Sequence, residues 1–430
     1  MTPGMSPDEL ASVPLDSFDH TDSRNLFEKC ERFHAYAEQV RELGAYQVQY
    51  RIELLGPLDA RIQVRDAFTG ESKEMICFDS NSYLGLHLDP RVNEAVKRAV
   101  DDVGFGTPSA QVLGGTNHYL RALEDRLSAL HGRQETLIYP SGYQANVGIL
   151  TALMDEGDLA VLDRLSHASI HDGVRYAGCR SMKFPYRDVE ALDAMLAEHR
   201  EEVNGVLIVT DGMFSMHGGL ADLPGLRRVA DAHDAKLMVD DAHSLGVIGA
   251  TGLGIEEHYN MEGACDVLMG TFSKAPGAAG GYVCGDAALI EYLRFLSRGS
   301  LFTATLPAST CAGVLESIRI MHEEPEHRQR LWANARRFHA GARGAGMEVP
   351  DLESPIVAIQ VGHERLLTPL SFALYKAGIK CGIVRYPAVA HDHAILRFTM
   401  NARHTEDDID RTVEVLAELW EQLGIGPDDP

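Results

Sequence analysis

Lys274 is the one long side chain between Ser273 and Gly281 in a segment of small residues, GTFSKAPGAAGGY, at positions 270–282. The small neighbours leave room for a molecule that the lysine reaches. A lysine at the end of a buried strand loses its proton more readily than one in water, and it then forms a Schiff base with a carbonyl compound. The alternative is a surface charge on a flexible loop.

Polar residues follow several predicted strands directly. From about residue 90, helical stretches alternate with short apolar strands, several of which are apolar on both faces, as is typical of a buried parallel sheet. The predicted strands are ETLIYP, LAVLD, GVLIVTD, KLMVDD, DVLMGT and GGYVCG. Ligands bind beyond the carboxyl ends of such strands. Five segments there carry polar groups, which singly are loop residues but together predict a binding site: PSGYQAN (140–146), RLSHASIHDG (164–173), DGMFSMHGG (211–219), DDAHS (240–244) and TFSK (271–274).

Three of these features together favour one cofactor. Asp240 comes at the end of the strand that precedes the Lys274 strand, and a carboxylate there keeps a pyridine nitrogen protonated and the ring an electron sink. The small-residue turn at Gly142 opens a helix, and its backbone N–H groups suit a phosphate. With the Schiff-base lysine, these groups predict pyridoxal phosphate (PLP).

Composition limits the classes of partner. The chain has 430 residues and a formal net charge of −24, which disfavours nucleic acid and anionic membrane surfaces. Its seven cysteines are scattered without a C-x-x-C pair, so we expect reduced thiols in a cytoplasmic protein. Neither a signal peptide nor a membrane-spanning run is predicted. No metal site is predicted, since HDH (391–393) lacks a third ligand nearby, and the glycines of GVIGATGLG lack the strand context of a dinucleotide loop.

The predicted fold class is α/β, with a large, mostly parallel-sheet domain and a smaller C-terminal α+β domain. The segments RIQVRDAF and KEMICFDS read as a hairpin, and a long helical stretch follows about residue 310. The predicted divisions are a disordered tail (1–24), a helix and hairpin segment (25–80), the large PLP-binding domain (81–310) and the small domain (311–430).

Over about residues 25–420 the sequence resembles the α-oxoamine synthases, PLP enzymes of fold type I that join an amino acid to an acyl thioester with loss of CO2. The motifs that carry the resemblance are YPSGYQAN, DRLSHASIHDG, DGMFSMHGG, VDDAHSLGVIGATGLG, GTFSKAPGAAGGY, SLFTATLP and ILRFTMNARHT. Their combination is specific, whereas each alone is weaker.

The resemblance implies a role for each matched residue. By it, Lys274 forms the Schiff base, Asp240 pairs with the pyridine nitrogen, His243 contacts the ring hydroxyl and His167 stacks on the ring. Arg397 is implied to hold the amino-acid carboxylate. The other implied cofactor contacts are Gly142, Tyr143, Ser215, Thr271 and, from a partner subunit, Thr303. That last contact predicts a homodimer with active sites at the subunit interface.

Within the family, the serine palmitoyltransferase branch is the most similar, because RYPAVAHDHAILR runs from Arg385 to Arg397 with the length of that branch's segment. His118 and Ser82 are then expected near the substrate. Several positions depart from the family's pattern: Asp241 replaces Glu, Pro276 follows the lysine, Ser109, Ala110 and Gln111 replace a G-S-R triplet, Leu120 replaces a histidine, and Ser82 replaces an asparagine.

The resemblance thus predicts condensation of L-serine with a long-chain acyl thioester, such as palmitoyl-CoA, to a 3-oxo-amine, CO2 and a free thiol, as in sphingoid-base synthesis. One alternative is a synthase that uses alanine or glycine, of the 8-amino-7-oxononanoate synthase type or with an acyl carrier protein as donor. Others are a PLP aminotransferase or lyase on the same fold, and a non-catalytic partner subunit, which the presence of Lys274 disfavours.

Overall fold

The structure is a computed structural model that describes residues 13, 15–19, 22–42, 44, 46, 48, 51–386 and 389–425. Most of the predicted disordered tail, 1–24, lies outside these residues. In its described part, Leu15–Phe18 forms a 3-10 helix, and the Phe18 ring packs on Phe33 and Tyr36. None of the helices in the described residues is long and apolar enough to cross a membrane.

The chain divides into two compact units. One is Asn81–Arg330, and the other combines Met1–Ser80 with Leu331–Pro430. The strands in chain order are β1 (Arg61–Arg65), β2 (Ser72–Cys77), β3 (Glu135–Tyr139), β4 (Leu159–Asp163), β5 (Arg180–Phe184), β6 (Val206–Asp211), β7 (Lys236–Asp240), β8 (Val267–Thr271), β9 (Gly281–Gly285), β10 (Ile356–Gly362), β11 (Ile379–Lys380), β12 (Gly382–Val384) and β13 (Ala394–Thr399). The domain bounds predicted from the sequence stay a prediction.

The helices surround and connect these strands. In chain order they are α1 (Glu28–Glu42), α2 (Pro90–Val103), α3 (His118–Leu130), α4 (Gly142–Leu153), α5 (Ala168–Ala177), α6 (Val189–His199), α7 (Leu223–Ala232), α8 (Ile255–Tyr259), α9 (Ala287–Leu296), α10 (Arg298–Leu301), α11 (Ala308–Glu323), α12 (Glu326–Gly344), α13 (Leu367–Lys376) and α14 (Glu406–Leu423). The long helical stretch predicted after residue 310 is therefore two helices, which separate at Pro325, a residue that lacks a backbone N–H donor.

A seven-stranded sheet with the order β3-β9-β8-β7-β6-β4-β5 forms the centre of the larger unit in the described chain. Its strands run parallel except β9, which is antiparallel to both neighbours, β3 and β8. Every residue of β4, β6, β8 and β9 is buried, as a sheet covered by helices on both faces requires. The predicted α/β fold with a large, mostly parallel sheet is confirmed.

Six of these strands were predicted from the apolar runs, and β5 was missed. The β5 sequence is RSMKF, and it lies at the edge of the sheet beside β4 alone. Arg180 and Lys183 in it are exposed. An edge strand needs apolar side chains only where it meets the core, so its sequence carries little of the signal that marks a central strand.

The smaller unit contains two three-stranded sheets in its described residues, β10-β13-β12 and β1-β2-β11. The predicted hairpin is confirmed, since β1 and β2 pair antiparallel from Arg61 opposite Ile76 to Arg65 opposite Ser72. The β11 strand then adds parallel to β2, at Ile379 opposite Ile76. This pairing explains why the residues before Ser80 group with the C-terminal part of the chain.

Candidate active site

The carboxyl ends of the central strands converge on one cavity in the larger unit. Its volume is about 240 Å³. Asp211, Asp240 and Thr271 end β6, β7 and β8, while Gly142 opens α4 and His167 comes just before α5. The residues that line the cavity are Ser141, Gly142, Tyr143, Asn146, His167, Ser169, Asp211, Met213, Asp240, Ala242, His243, Met269, Thr271, Ser273 and Lys274.

Asp240 is a buried carboxylate held by two donors. The Asn146 side-chain amide donates to its Oδ2 at 2.7 Å, and the Ala242 backbone N–H donates to its Oδ1 at 3.0 Å. Burial raises the pKa of Asp240, while the hydrogen bonds from Asn146 and Ala242 and the charge of Lys274 oppose the rise. Donors of this kind stabilise the ionised form of a carboxyl that burial alone would keep neutral.

His167 is fixed by the same network. Its Nδ1 accepts the Ser169 backbone N–H at 3.3 Å and lies 2.7 Å from the Ser169 hydroxyl, which in turn accepts the second Asn146 hydrogen bond at 2.9 Å. The His167 backbone N–H donates to Asp211 at 3.0 Å. Because Nδ1 acts as the acceptor, the neutral imidazole carries its proton on Nε2.

His243 pairs with a tyrosine that the sequence analysis did not single out. The Tyr83 hydroxyl lies 2.7 Å from His243 Nδ1, and the two rings meet edge to face. Tyr83 is fully buried and has a backbone φ of 46°. A left-handed conformation costs a non-glycine residue about 1–3 kcal/mol and persists where packing over-determines it, often at functional sites. The neighbouring Ser82, which was predicted to contact substrate, does not line the cavity.

The amino end of α4 forms one side of the cavity. Ser141 caps this helix by accepting the Gln144 backbone N–H at 3.1 Å. A Cβ atom at Gly142 would come within 3.1 Å of the Thr271 side chain, so glycine allows the helix to begin close to the end of β8. The positive end of the helix dipole and the first backbone N–H groups of a helix are a ready site for phosphate.

These groups fit PLP. The cavity combines a lysine, a buried carboxylate on a neighbouring strand and a helix N-terminus with two adjoining hydroxyls, those of Thr271 and Ser273. The donor set therefore matches a ligand with an aldehyde, a basic ring nitrogen and a phosphate.

Asp241 lies beside this cavity without lining it. Its Oδ2 accepts the Ile255 backbone N–H at 3.1 Å. A Cβ atom at Gly254 would meet this oxygen at 1.8 Å, and one at Gly212 would meet Oδ1 at 2.4 Å. The carboxyl that replaces the family's usual glutamate is therefore enclosed by backbone, and it connects the end of β7 to the start of α8.

The structure brings seven of the predicted site residues together: Gly142, Tyr143, His167, Asp240, His243, Thr271 and Lys274 all line the cavity. Four others in the same unit, Ser82, His118, Ser215 and Thr303, do not line it. His118 is exposed and lies 3.3 Å from Asp102. Arg397 on β13 and Arg385 after β12 belong to the smaller unit. The individual roles of all these residues stay predictions.

Sequence reasoning missed Tyr83, Asn146, Ser169 and Asp211. Asn146 stands four residues after Gly142, so the helical repeat places it on the same face of α4, and this spacing could have identified it. Asp211 ends its strand as Asp240 does, and the rule that singled out Asp240 applies to it equally. Nothing in the local sequence marks the pairing of Tyr83 with His243, which joins residues far apart in the chain.

A second cavity, of about 490 Å³, is larger but lies at the amino ends of the central strands. Val206, Lys236 and Val267, where β6, β7 and β8 begin, form part of its lining. Ligands of open α/β sheets bind at the carboxyl ends of the strands, and this cavity lies at the amino ends. Its size therefore does not make it the active site.

Comparison with known proteins agrees with the fold and the cavity. The family model for aminotransferase class I and II matches residues 73–416. A serine palmitoyltransferase of Sphingobacterium spiritivorum is 38% identical to this chain, and the alignment covers 93% of this chain and 98% of the length of that enzyme. An 8-amino-7-oxononanoate synthase of Methylococcus capsulatus is 40% identical over 89% of this chain and 97% of its own.

Two further similarities extend the comparison. The 4-hydroxy-2,2'-bipyrrole-5-methanol synthase PigH of a Serratia species is 38% identical over 93% of this chain, which spans 61% of the length of PigH. A solved serine palmitoyltransferase from S. paucimobilis with a bound PLP–myriocin aldimine has a TM-score of 0.88 and 31% identity. The alignment covers 94% of this chain and all of that chain.

The fold and the cavity define a PLP-dependent enzyme with an aminotransferase fold. The chain belongs to the aminotransferase class I and II family and, within it, to the α-oxoamine synthases. The predicted family and the predicted cofactor are both confirmed.

We expect Asp241→Asn to change how stability depends on pH. Burial raises the pKa of Asp241 to about 7, against the opposing hydrogen bond from the Ile255 backbone N–H. Between about pH 4 and this value the native chain holds a proton that the unfolded chain has lost, so the free energy of unfolding falls as pH rises through that window. Urea unfolding midpoints should fall with pH more steeply in the wild type than in Asp241→Asn.

The fully exposed Asp234 supplies the control. Asp234→Asn makes the same chemical change at the protein surface, and we expect it to follow the wild-type pH dependence. A constant difference between wild type and Asp241→Asn from about pH 4 to pH 8 would contradict the burial of a titrating carboxyl at this position.

Proposed function

We propose that the chain condenses L-serine with a long-chain acyl thioester, such as palmitoyl-CoA, and releases CO2 and a free thiol to give a 3-oxo-amine. The observation that carries the proposal is the likeness to solved serine palmitoyltransferases, with a TM-score of 0.88 over the whole of the solved chain. The relative of 38% identity with that activity supports it. The segment from Arg385 to Arg397, predicted as typical of that branch, favours the same substrates.

Each residue of the cavity would have its own role in this reaction. When bound, PLP supplies an electron sink for the carbanion formed at the amino-acid Cα. Asp240 would hold the proton on the ring nitrogen, since it stays oriented by Asn146 and the Ala242 N–H. The first turn of α4 with Thr271 would bind the phosphate.

Lys274 would hold the cofactor and, once displaced by the substrate amine, take the proton from Cα. A lysine amine without its extra proton is a suitable base for this step. Arg397, buried on β13, would bind the amino-acid carboxylate, for which a planar guanidinium with two parallel donors is well shaped. His167, with its proton on Nε2, would lie against the ring and donate to a substrate oxygen.

The cavity volume bears on the acyl donor. At about 240 Å³ it is smaller than the pockets of about 300–1,000 Å³ that drug-sized ligands occupy. It suits the cofactor together with a small amino acid, and a long acyl chain would have to bind outside it. The proposed donor is an acyl-CoA, and an acyl carrier protein as the thiol of the donor is the alternative.

We also propose that the chain is a homodimer. Three large apolar side chains of the larger unit are strongly exposed: Phe105 at 89%, Leu113 at 82% and Phe302 at 70%. We name them the apolar patch. The segments that carry them adjoin, because the Thr305 N–H donates to the Ser109 carbonyl at 3.0 Å. Exposed apolar side chains grouped in this way are typical of protein–protein interfaces.

Sedimentation should therefore give about twice the 47.1 kDa of one chain, and Leu113→Glu should shift the protein towards the monomer. A charge at the centre of an apolar interface is costly to desolvate, while at an 82% exposed position it leaves the subunit fold intact. The exposed Leu423 at the end of α14 gives the control, Leu423→Glu, which should remain dimeric. A wild-type protein that sediments as a single chain would contradict the dimer.

Two observations support a second candidate function. The 8-amino-7-oxononanoate synthase relative is 40% identical, slightly more than the serine palmitoyltransferase relative. Leu120, where the family commonly has histidine, removes a polar group from the region expected to meet a serine hydroxyl. Both features favour alanine as the amino acid of that alternative.

Titration of the PLP-loaded enzyme with single amino acids separates these functions. We expect L-serine to perturb the cofactor's visible absorbance at lower concentration than glycine or L-alanine, because a site that hydrogen-bonds a hydroxyl rejects analogues without one. Product masses with acyl-CoAs of increasing length should then show a preference for long chains. Lys274→Ala is the control that should lose the long-wavelength band and turnover.

Tighter binding of alanine than of serine, together with a short dicarboxylic thioester as the best donor, would contradict the proposal and favour the 8-amino-7-oxononanoate synthase type. Transfer of the amino group to an oxo acid without loss of CO2 would instead indicate an aminotransferase.

A further inference from the structure

Asp211 is a second buried carboxyl group in the wall of the cavity. It ends β6, it is 4% exposed, and it pairs in register with Asp240 at the end of β7. Residues paired in this way on parallel strands point to the same face of the sheet. Two carboxylates that share a buried site cannot both ionise at low cost, so one of the two holds a proton at neutral pH.

The hydrogen-bond donors decide which carboxyl is ionised. Asp240 accepts from the Asn146 amide and the Ala242 backbone N–H, and the positive charge of Lys274 favours its ionised form. The hydrogen bond that Asp211 is seen to accept comes from the His167 backbone N–H, at 3.0 Å. Asp211 also faces the negative charge of Asp163, at the end of β4. Asp240 therefore has more hydrogen-bond donors and a more favourable charge environment than Asp211, so Asp240 is the carboxyl group that ionises.

We propose that Asp211 is a positioning residue that stays protonated at neutral pH, so that its carboxyl holds the His167 backbone without placing a second negative charge beside Asp240. His167 caps the start of α5 and lines the cavity through its ring. The Asp211 oxygen fixes the turn from which that ring projects. The inference depends on the cofactor site and not on the choice of amino acid or acyl donor.

The electrostatics agree with this geometry. Burial raises the pKa of Asp211 well above its ordinary value, the charges of Asp240 and Asp163 raise it further, and the His167 N–H opposes the rise. The other charged or titratable groups that line the cavity are Lys274, His243, Tyr143 and the His167 imidazole.

Two substitutions separate the hydrogen bond from the charge. Asp211→Asn keeps an oxygen that can accept from His167 and stays neutral at every pH, whereas Asp211→Ala removes the acceptor. We expect the dissociation constant of PLP, measured on the apoenzyme, to stay within about threefold of wild type in Asp211→Asn. It should rise at least about tenfold in Asp211→Ala, since that change leaves the buried His167 N–H without an acceptor.

Infrared spectroscopy of the apoenzyme tests the proton directly. The difference spectrum between wild type and Asp211→Asn at about pH 7.5 should contain the carbonyl band of a protonated carboxyl, and aspartate labelled with ¹³C at the carboxyl should shift it. This readout needs neither cofactor nor substrate. A carboxylate band in its place would overturn the proposal, even if Asp211→Ala failed to fold.

The pH profile of the cofactor's absorbance gives the second readout. With a neutral Asp211, the midpoint of the spectral transition in the holoenzyme should be the same in wild type and Asp211→Asn. Loss of a negative charge from the site would instead move that midpoint by about one pH unit, an effect typical of a close charge. Such a shift would overturn the proposal, as would equal PLP dissociation constants for Asp211→Asn and Asp211→Ala.

Discussion

The buried carboxylate of Asp240 is the constraint on which the rest of the cavity depends. A buried ion without partners is too costly to keep, so neighbouring elements must supply donors to it. The Asn146 amide from α4 and the Ala242 N–H do this, and the same amide continues through Ser169 to His167. Asn146 thereby fixes both the Asp240 carboxylate and, through Ser169, the His167 imidazole.

The sheet topology makes this convergence possible. Asp211, Asp240 and Thr271 come from strands that lie side by side, although helices separate them in sequence. Since β9 is antiparallel to both β8 and β3, β3 runs in the same direction as β8. The turn at Gly142, which follows β3, therefore lies at the same end of the strands as Thr271. Lys274 comes soon after the end of β8 at Thr271, so Lys274, Asp240 and the amino end of α4 meet without any long loop.

Much of this architecture follows from sequence patterns that are local. Apolar runs predicted six of the seven central strands, and the rule that polar groups after such strands share one edge identified Lys274, Asp240 and His167. The contacts that were missed join residues far apart in the chain: Asn146 reaches Ser169 across 23 positions and Asp240 across 94. Such pairings depend on the packing of helices on the sheet, which no local pattern encodes.

We expect Asp240 to keep the cofactor ring in its electron-accepting form, and Asp240→Asn removes the charge on which that role depends. The amide fills the same space but holds no negative charge. With PLP bound in both proteins, single-turnover rates of Cα proton loss from the amino acid should fall by roughly 100-fold or more in the variant, on the scale of general acid–base catalysis. An unchanged rate would contradict the claim.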